Sequence, residues 1–388
     1  MQPIEFLRND IFYLGIDAAA LCLALACLAV YKRSYTAVAI FSLTALLLKL
    51  IVFVGFRPFD AGNDTIGYYE TFQALRGIFD AREVGGMYGG TEQASELLYW
   101  PFAAFLKMIF GESFRLFLIV SILLCSYMTY WGNRGLIASQ EEFSRREIFA
   151  LSVVLTYLVF LSFEIVYFGG HIRSAFGIPL SLLAYNFAVR KRVLSMSVAL
   201  FLAVGFHTSA IIVLPLLLIE LVTPEMRRTR GATVLILVVL LVCFIFGRAG
   251  GIGSVMTLIG GYYAERYRAY VAYENFNITS VYATVYFWII LAHVLSFLII
   301  GYRKVHFYAF YFLCLIFVFS PTPKISERFF AYVLICLPFL LFLSLRTRFT
   351  MRTAIALTVG VSFILAPLVV TSYAVTSTLS INSYIYPR

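Results

Sequence analysis

Charged side chains are scarce in this sequence, because Asp, Glu, Lys and Arg together make up only 13% of its 388 residues. Hydrophobic residues make up 62%. A water-soluble domain of this length could not cover so much apolar side chain with polar surface. The composition therefore excludes a soluble globular protein and predicts an all-α polytopic membrane protein.

Several motifs of enzymes and redox proteins are also missing. No CxxC pair is present, and all six cysteines lie in apolar runs, where they act as small hydrophobic residues. No Ser-His-Asp spacing and no His/Cys metal-ligand spacing appears. The glycines at 250–253 lack the third glycine of a dinucleotide fingerprint, and Asp60 with Asp64 alone would be a weak cation site. We therefore expect neither a metal nor a cofactor.

Long apolar runs dominate what is present, and runs of roughly 15 to 23 residues are suited to helices that cross a bilayer. Twelve of them lie near 11–31, 36–56, 113–132, 147–168, 172–190, 193–206, 208–222, 232–248, 280–300, 305–319, 326–344 and 352–373. Basic clusters follow every second run, so one alternation places all of them in the cytoplasm. The same positive-inside bias explains the net charge of +10.

The pattern predicts a single integral membrane domain over residues 1–388 with two long external loops, 57–112 and 249–279. The first loop contains the short apolar run 97–110, which would reverse every later span if it crossed. We therefore predict an outer-face half-helix there. Loops of this length between spans often carry function.

The predicted topology collects polar groups near the outer face. A hairpin bent near residues 205–207 places His207 there, and Arg173 and Arg328 begin spans on the same side. Cations at the outer face oppose the positive-inside bias, and a buried external anion would explain them. A guanidinium fork suits phosphate oxygens. Alternatively, the two arginines contact lipid head groups or pair with Glu164 and Glu327.

Five short segments resemble one family. They are GNDTIGYYETF (from Gly62), ELLY (from Glu96), HIRSAFGIPLSLLAY (from His171), FHTSAIIVLPL (from Phe206) and ERFFAY (from Glu327). In this order they resemble the motifs of Wzy-type polysaccharide polymerases, in the EpsG-like branch. The chain departs from the family where Leu97 replaces Pro, His171 replaces Asn and Ser174 replaces Gln.

The resemblance implies a GT-C-like architecture of about twelve transmembrane helices in the bacterial inner membrane. It implies a glycosyltransferase that moves a growing glycan from undecaprenyl pyrophosphate onto a new lipid-linked repeat unit at the periplasmic face. The implied partners are these lipid-linked glycans, membrane lipid and a chain-length regulator protein. The O-antigen, capsule and exopolysaccharide products stay open.

Candidate roles follow from matching the motifs to this chain. Arg173 and Arg328 would bind the pyrophosphate, and His207 is the first candidate for the general base, with Asp64 or Glu96 as alternatives. The further candidates for substrate binding are His171, Tyr68, Tyr332, Ser209 and Glu164. Aromatic side chains such as Tyr68, Tyr99 and Trp100 offer faces for sugar rings, or alternatively form an interfacial aromatic belt.

Two other function classes remain compatible with outward-facing cations. A flippase or transporter of lipid-linked sugars would need polar groups along a path through both leaflets. A membrane O-acyltransferase that modifies glycans would need a catalytic histidine with access to a cytoplasmic acyl donor. The predicted polar cluster lies on one side only, which favours the polymerase.

Overall fold

The structure, a computed structural model, describes residues 35–50, 65–78, 96–138, 143–160, 172–222, 304–319 and 323–345, with separate positions within 238–254 and 290–297. All secondary structure in this part of the chain is helical, and no strand occurs in it. The predicted all-α class is therefore confirmed. The chain divides into two compact units, unit 1 (residues 1–222 with 363–388) and unit 2 (residues 223–362).

Unit 1 is built around one central helix. Its helices are α1 (Tyr35–Leu50), α2 (Thr65–Ala74), α3 (Tyr99–Phe110), α4 (Phe114–Ala138), α5 (Arg145–Val159), α6 (Ile172–Val189), α7 (Val193–Phe206) and, after the 3-10 segment Thr208–Val213, α8 (Leu214–Val222). Helix α6 packs against α4, α7 and α8 and is buried along most of its length. The core of unit 1 therefore lies along α6.

Two helices, α4 and α6, are long and apolar enough to cross a membrane by length and composition. Shorter apolar helices include α1, α3, α7 and α9 (Lys304–Val318). The predicted runs 113–132, 172–190, 193–206 and 305–319 thus coincide with helices. The count of twelve crossings stays a prediction, as does the insertion of α3 as a half-helix.

Helix α5 begins where the sequence provides a capping box. The Ser144 side chain accepts a hydrogen bond from the Glu147 backbone amide, and the Glu147 carboxylate accepts one from the Ser144 amide. Such a box satisfies amide donors that the first helical turn leaves without partners. Glu147 also accepts a hydrogen bond of 2.9 Å from the Tyr35 hydroxyl, which joins the beginnings of α1 and α5.

The predicted bend at residues 205–207 is confirmed by the helix ends. Helix α7 ends at Phe206, and His207 has an extended backbone before the 3-10 segment. Lys191, which precedes α7, donates hydrogen bonds of 2.6 and 2.9 Å to the carbonyls of Glu220 and Leu221 near the end of α8. The chain therefore returns to its starting level, as a hairpin requires.

Basic side chains gather at the end of α6 that is remote from residue 172. Arg190 donates a hydrogen bond of 3.0 Å to the Gly135 carbonyl near the end of α4. Burial, together with the positive charges of Arg192 and Arg134, lowers the pKa of Arg190. This end of unit 1 therefore carries a cluster of like charges, which we call the basic end.

Unit 2 contains α9, α10 (Pro323–Leu334) and α11 (Leu337–Leu345) among its described residues. Helices α9 and α10 pack together. The Phe312 and Tyr332 rings stack with their centroids 4.2 Å apart.

The helix within the predicted span 326–344 has a local interruption between α10 and α11, and the crossing of this stretch as one span stays a prediction. Ile335 and Cys336 form a turn at this position. Pro338 lies two residues after Cys336 and has no amide hydrogen, so it cannot donate the bond that would continue the helix across the turn. The sequence contained this signal, since proline commonly ends or kinks an apolar helix.

Candidate functional site

Arg173, in the first turn of α6, connects three segments of unit 1. Its Nη1 lies 2.6 Å from Oε2 of Glu96, which lies shortly before α3 in the sequence. Its Nε donates a hydrogen bond of 2.9 Å to the hydroxyl of Tyr68 on α2. The guanidinium also lies 5.6 Å from the centre of the Tyr68 ring, within the range of a cation–π contact.

The Arg173–Glu96 ion pair compensates the charge of a buried carboxylate. The Glu96 side chain is 4% exposed, whereas the Arg173 side chain is 20% exposed. A carboxylate this deeply buried is costly without a cation, and the short charge-assisted hydrogen bond supplies one. Arg173 is therefore anchored inside unit 1, while its side chain keeps partial exposure.

His207 lies on the other side of the same carboxylate. Its Nδ1 is 3.7 Å from Oε1 of Glu96. Its Nε2 is 3.1 Å from Oγ of Ser174, the residue after Arg173. The imidazole thus lies between a carboxylate and a hydroxyl, which is the arrangement in which a histidine can exchange protons while being held in place.

Close backbone contacts determine where His207 lies. A Cβ at Gly177 would be 3.0 Å from the His207 Cβ, so α6 and the bend approach each other at this glycine. The Leu98 amide donates a hydrogen bond of 2.8 Å to the Gly205 carbonyl. A Cβ at Gly205 would meet the Leu98 side chain at 2.5 Å. The segment after Glu96 is therefore joined directly to the bend.

Tyr99 and Trp100 do not present faces for sugars in this structure, which corrects one prediction. Their exposed fractions are 0% and 1%. Their rings pack around Tyr68, with centroid distances of 5.7 Å and 6.1 Å. Tyr68 is itself buried, so its surroundings fit a role in positioning Arg173 through the hydroxyl. Both residues begin α3, within the predicted half-helix, and their rings pack inside unit 1.

Lys107 holds α2 against α3. Its Nζ donates hydrogen bonds of 3.1, 2.7 and 2.9 Å to the carbonyls of Phe72, Gln73 and Leu75. The carbonyls at a helix C-terminus lack partners within the helix, so one ammonium group satisfies several at once. Nζ also lies 3.1 Å from the carboxylate of Glu112, which is 71% exposed. These contacts of Lys107 explain why a charged residue occurs in the otherwise apolar run 97–110.

Four of the predicted site residues come together in this cluster: Tyr68, Glu96, Arg173 and His207. Ser174 was missed as a functional residue, since the sequence marked it only as a departure from the family motif. No Ser-His-acid spacing was visible because Glu96, Ser174 and His207 come from three separate segments. Such constellations are recognised by geometry and not by sequence position.

The remaining predicted residues belong to other segments of the sequence. Ser209 is exposed on the 3-10 segment after His207. In unit 2, Arg328 is half-buried on α10 and Tyr332 is 3% exposed beside Phe312. Their contact with substrate stays a prediction. Three predicted residues, Asp64, His171 and Glu164, lie outside the described residues.

Comparisons with known proteins identify one family. A family model described as the EpsG family matches residues 40–387, which is nearly the whole chain. No curated protein and no solved structure matches the chain. In the part of the chain that the structure describes, no group of three or more His, Cys, Asp or Glu side chains could hold a metal ion.

Proposed function

The chain belongs to the EpsG family, a Wzy-type polymerase family, and from this premise we propose that it polymerises lipid-linked oligosaccharide repeat units. The donor is a glycan on undecaprenyl pyrophosphate, and the acceptor is the free end of a second lipid-linked unit. The reaction is a glycosyl transfer at the periplasmic face of a bacterial inner membrane. The observation that carries the proposal is the placement of Arg173 and His207 on one buried carboxylate, Glu96.

Arg173 neutralises the departing pyrophosphate. Pyrophosphate is already a good leaving group, so its departure needs charge stabilisation more than protonation. A guanidinium offers a planar fork of donors that matches phosphate oxygens. Glu96 and Tyr68 hold Arg173 through Nη1 and Nε, which orients the guanidinium before substrate arrives. Arg328 is the proposed second cation.

His207 is the proposed general base for the acceptor hydroxyl. Glu96 is less suited to this role, because its carboxylate already forms the ion pair with Arg173. With Nδ1 toward Glu96, the base nitrogen is Nε2. As His207 takes the hydroxyl proton, the acceptor oxygen bonds to the anomeric carbon and the bond from that carbon to the pyrophosphate oxygen breaks. Glu96 then stabilises the imidazolium. Asp64 is the alternative base.

The two ends of α6 support the periplasmic orientation. Arg173 and Arg190 are separated by seventeen residues (173 to 190), or about 26 Å at 1.5 Å per residue. That distance is close to the thickness of the bilayer's hydrocarbon core, roughly 30 Å. The basic end faces the cytoplasm under the positive-inside rule, so the cluster around Arg173 faces outward.

Purified protein in lipid vesicles, given a lipid-linked repeat unit extracted from source cells that lack the polymerase, tests the proposal. We expect a ladder of glycans and one released undecaprenyl pyrophosphate for each new linkage. The Arg173→Ala variant is the negative control. Movement of the unit across the bilayer without a ladder would instead identify a flippase. Transfer of an acyl group would identify an acyltransferase.

A further inference from the structure

We infer that Ser174 is a catalytic residue of this reaction, in which its hydroxyl carries the proton from the acceptor hydroxyl to His207. The inference rests on the proposed function and adds a residue to it. The observation behind it is the distance of 3.1 Å between Ser174 Oγ and His207 Nε2, on the nitrogen that must receive the proton. Both side chains are partly buried.

The two ring nitrogens of His207 have different surroundings, and we assign the direction of the hydrogen bond from them. Nδ1 faces the buried Glu96 carboxylate at 3.7 Å. We place the proton of the neutral imidazole on Nδ1, toward this carboxylate, which leaves Nε2 as the acceptor. The Ser174 hydroxyl therefore donates to Nε2. A hydroxyl that donates one bond still has lone pairs that accept another.

An acceptor sugar cannot reach Nε2 while this bond exists. A neutral imidazole nitrogen has one lone pair, and Ser174 occupies it in this structure. Direct proton transfer would require the serine to move away. Transfer through the serine needs only that the sugar hydroxyl donates to Oγ, and the His207 that Oγ contacts shares the Glu96 carboxylate with Arg173. The relay thus brings the acceptor hydroxyl beside the pyrophosphate site.

The step balances without a further reactant. The acceptor hydroxyl gives its proton to Ser174 Oγ while the Ser174 hydroxyl proton moves to His207 Nε2. The acceptor oxygen forms the new bond to the anomeric carbon, and the carbon–oxygen bond to the pyrophosphate breaks with its electron pair on the leaving group. Ser174 ends as it began, and the proton on His207 leaves to solvent after product release.

Another serine on the same helix provides a matched comparison. The Ser181 hydroxyl donates a hydrogen bond of 2.7 Å to the Gly177 carbonyl, four residues earlier in α6. This local bond is common for serine within a helix. Ser174 instead contacts a side chain 33 residues away on another segment. Both residues tolerate alanine in a helix, so Ser181→Ala controls for the loss of a buried hydroxyl.

The test measures single-turnover rates of the wild type and of Ser174→Ala, Ser174→Thr and Ser181→Ala, with the lipid-linked repeat unit from polymerase-deficient cells. We expect Ser174→Ala to lower the rate about 100-fold, the lower range for general acid–base catalysis, with KM changed less than about twofold. Threonine keeps the hydroxyl and should restore most of the rate. Ser181→Ala should react at the wild-type rate.

Rates measured in mixtures of H2O and D2O distinguish a relay from a structural role. Because two protons move in the same step, a plot of the wild-type rate against deuterium fraction should be curved. The same plot for Ser174→Ala should be linear. A Ser174→Ala rate near that of the wild type, or a curve that persists in this variant, would overturn the relay. A glycosyl group trapped covalently on Ser174 would also overturn it. Absence of a ladder from the wild type would instead refute the proposed function, and the relay with it.

Discussion

Arg173 and Glu96 form a 2.6 Å ion pair between residues that are 77 positions apart in the sequence. The second oxygen of the same carboxylate lies 3.7 Å from His207. One buried carboxylate therefore positions both the cation proposed for the leaving group and the base proposed for the acceptor. A change at any of the three residues alters the charge balance of the other two.

Arg173→Ala should reduce polymer formation to below about 1% of the wild type, the loss expected when a principal electrostatic stabiliser is removed. Arg173→Lys should recover little, because an ammonium group keeps the charge but not the bidentate fork. The measurement is the glycan ladder made in vesicles with each variant at equal protein content.

Arg192→Ala is the matched control for that experiment, since Arg192 is exposed at the basic end. It should leave the ladder unchanged. Because Arg173→Ala also leaves Glu96 buried without its cation, thermal melting of each variant must be recorded. Arg173→Lys keeps this cation, so wild-type polymer from the lysine variant would refute the bidentate role.

His207→Gln should remove the acidic limb of the pH–rate profile. A protonated imidazole cannot accept a proton, so the wild-type rate should fall as the pH decreases, whereas glutamine has no such titration. Among the described residues, the charged groups near His207 are Glu96 and, through it, Arg173. The measurement is the single-turnover rate at saturating substrate from about pH 5 to 9. An acidic limb that remains in the variant would assign the base to Asp64 or Glu96.

The sequence predicted the residues whose chemical character conflicts with their surroundings. Arg173 and His207 were identifiable because cations and polar groups in apolar runs require a partner. Ser174 was not identifiable, because a serine is common in helices and only the fold brings it beside His207. The burial of Tyr99 and Trp100 was equally hidden, since aromatic side chains fit a core, a membrane interface and a sugar site alike.

Lys107→Met should destabilise unit 1 by about 3 kcal/mol, because three carbonyls at the end of α2 lose one charged donor. Glu112→Gln removes only the exposed partner of the same lysine and should cost less than about 1 kcal/mol. Thermal or denaturant unfolding in detergent compares the two variants. Equal losses would show that Lys107 stabilises unit 1 through the ion pair and not through the carbonyl contacts.

Gly177→Ala should reduce the rate of polymerisation about tenfold with little loss of stability. The new methyl group would lie 3.0 Å from the Cβ of His207, so the histidine must move by a few tenths of an ångström. A displacement of about 1 Å at a catalytic group can cost a factor of about 100 in rate, and a smaller shift should cost less. Overpacking costs about 1–3 kcal/mol, but alanine is favoured over glycine within a helix by about 1 kcal/mol, so the net change in stability should be small.

Gly77→Ala is the control, because a Cβ at Gly77 meets no atom within 4 Å. It should leave the rate unchanged and slightly raise the melting temperature, since alanine reduces the freedom of the unfolded chain. The ratio of the two single-turnover rates thus isolates the contact at His207 from the general effect of adding a methyl group. Equal rates for the two variants would mean that the exact position of His207 does not limit the reaction, which would argue against its role as the base.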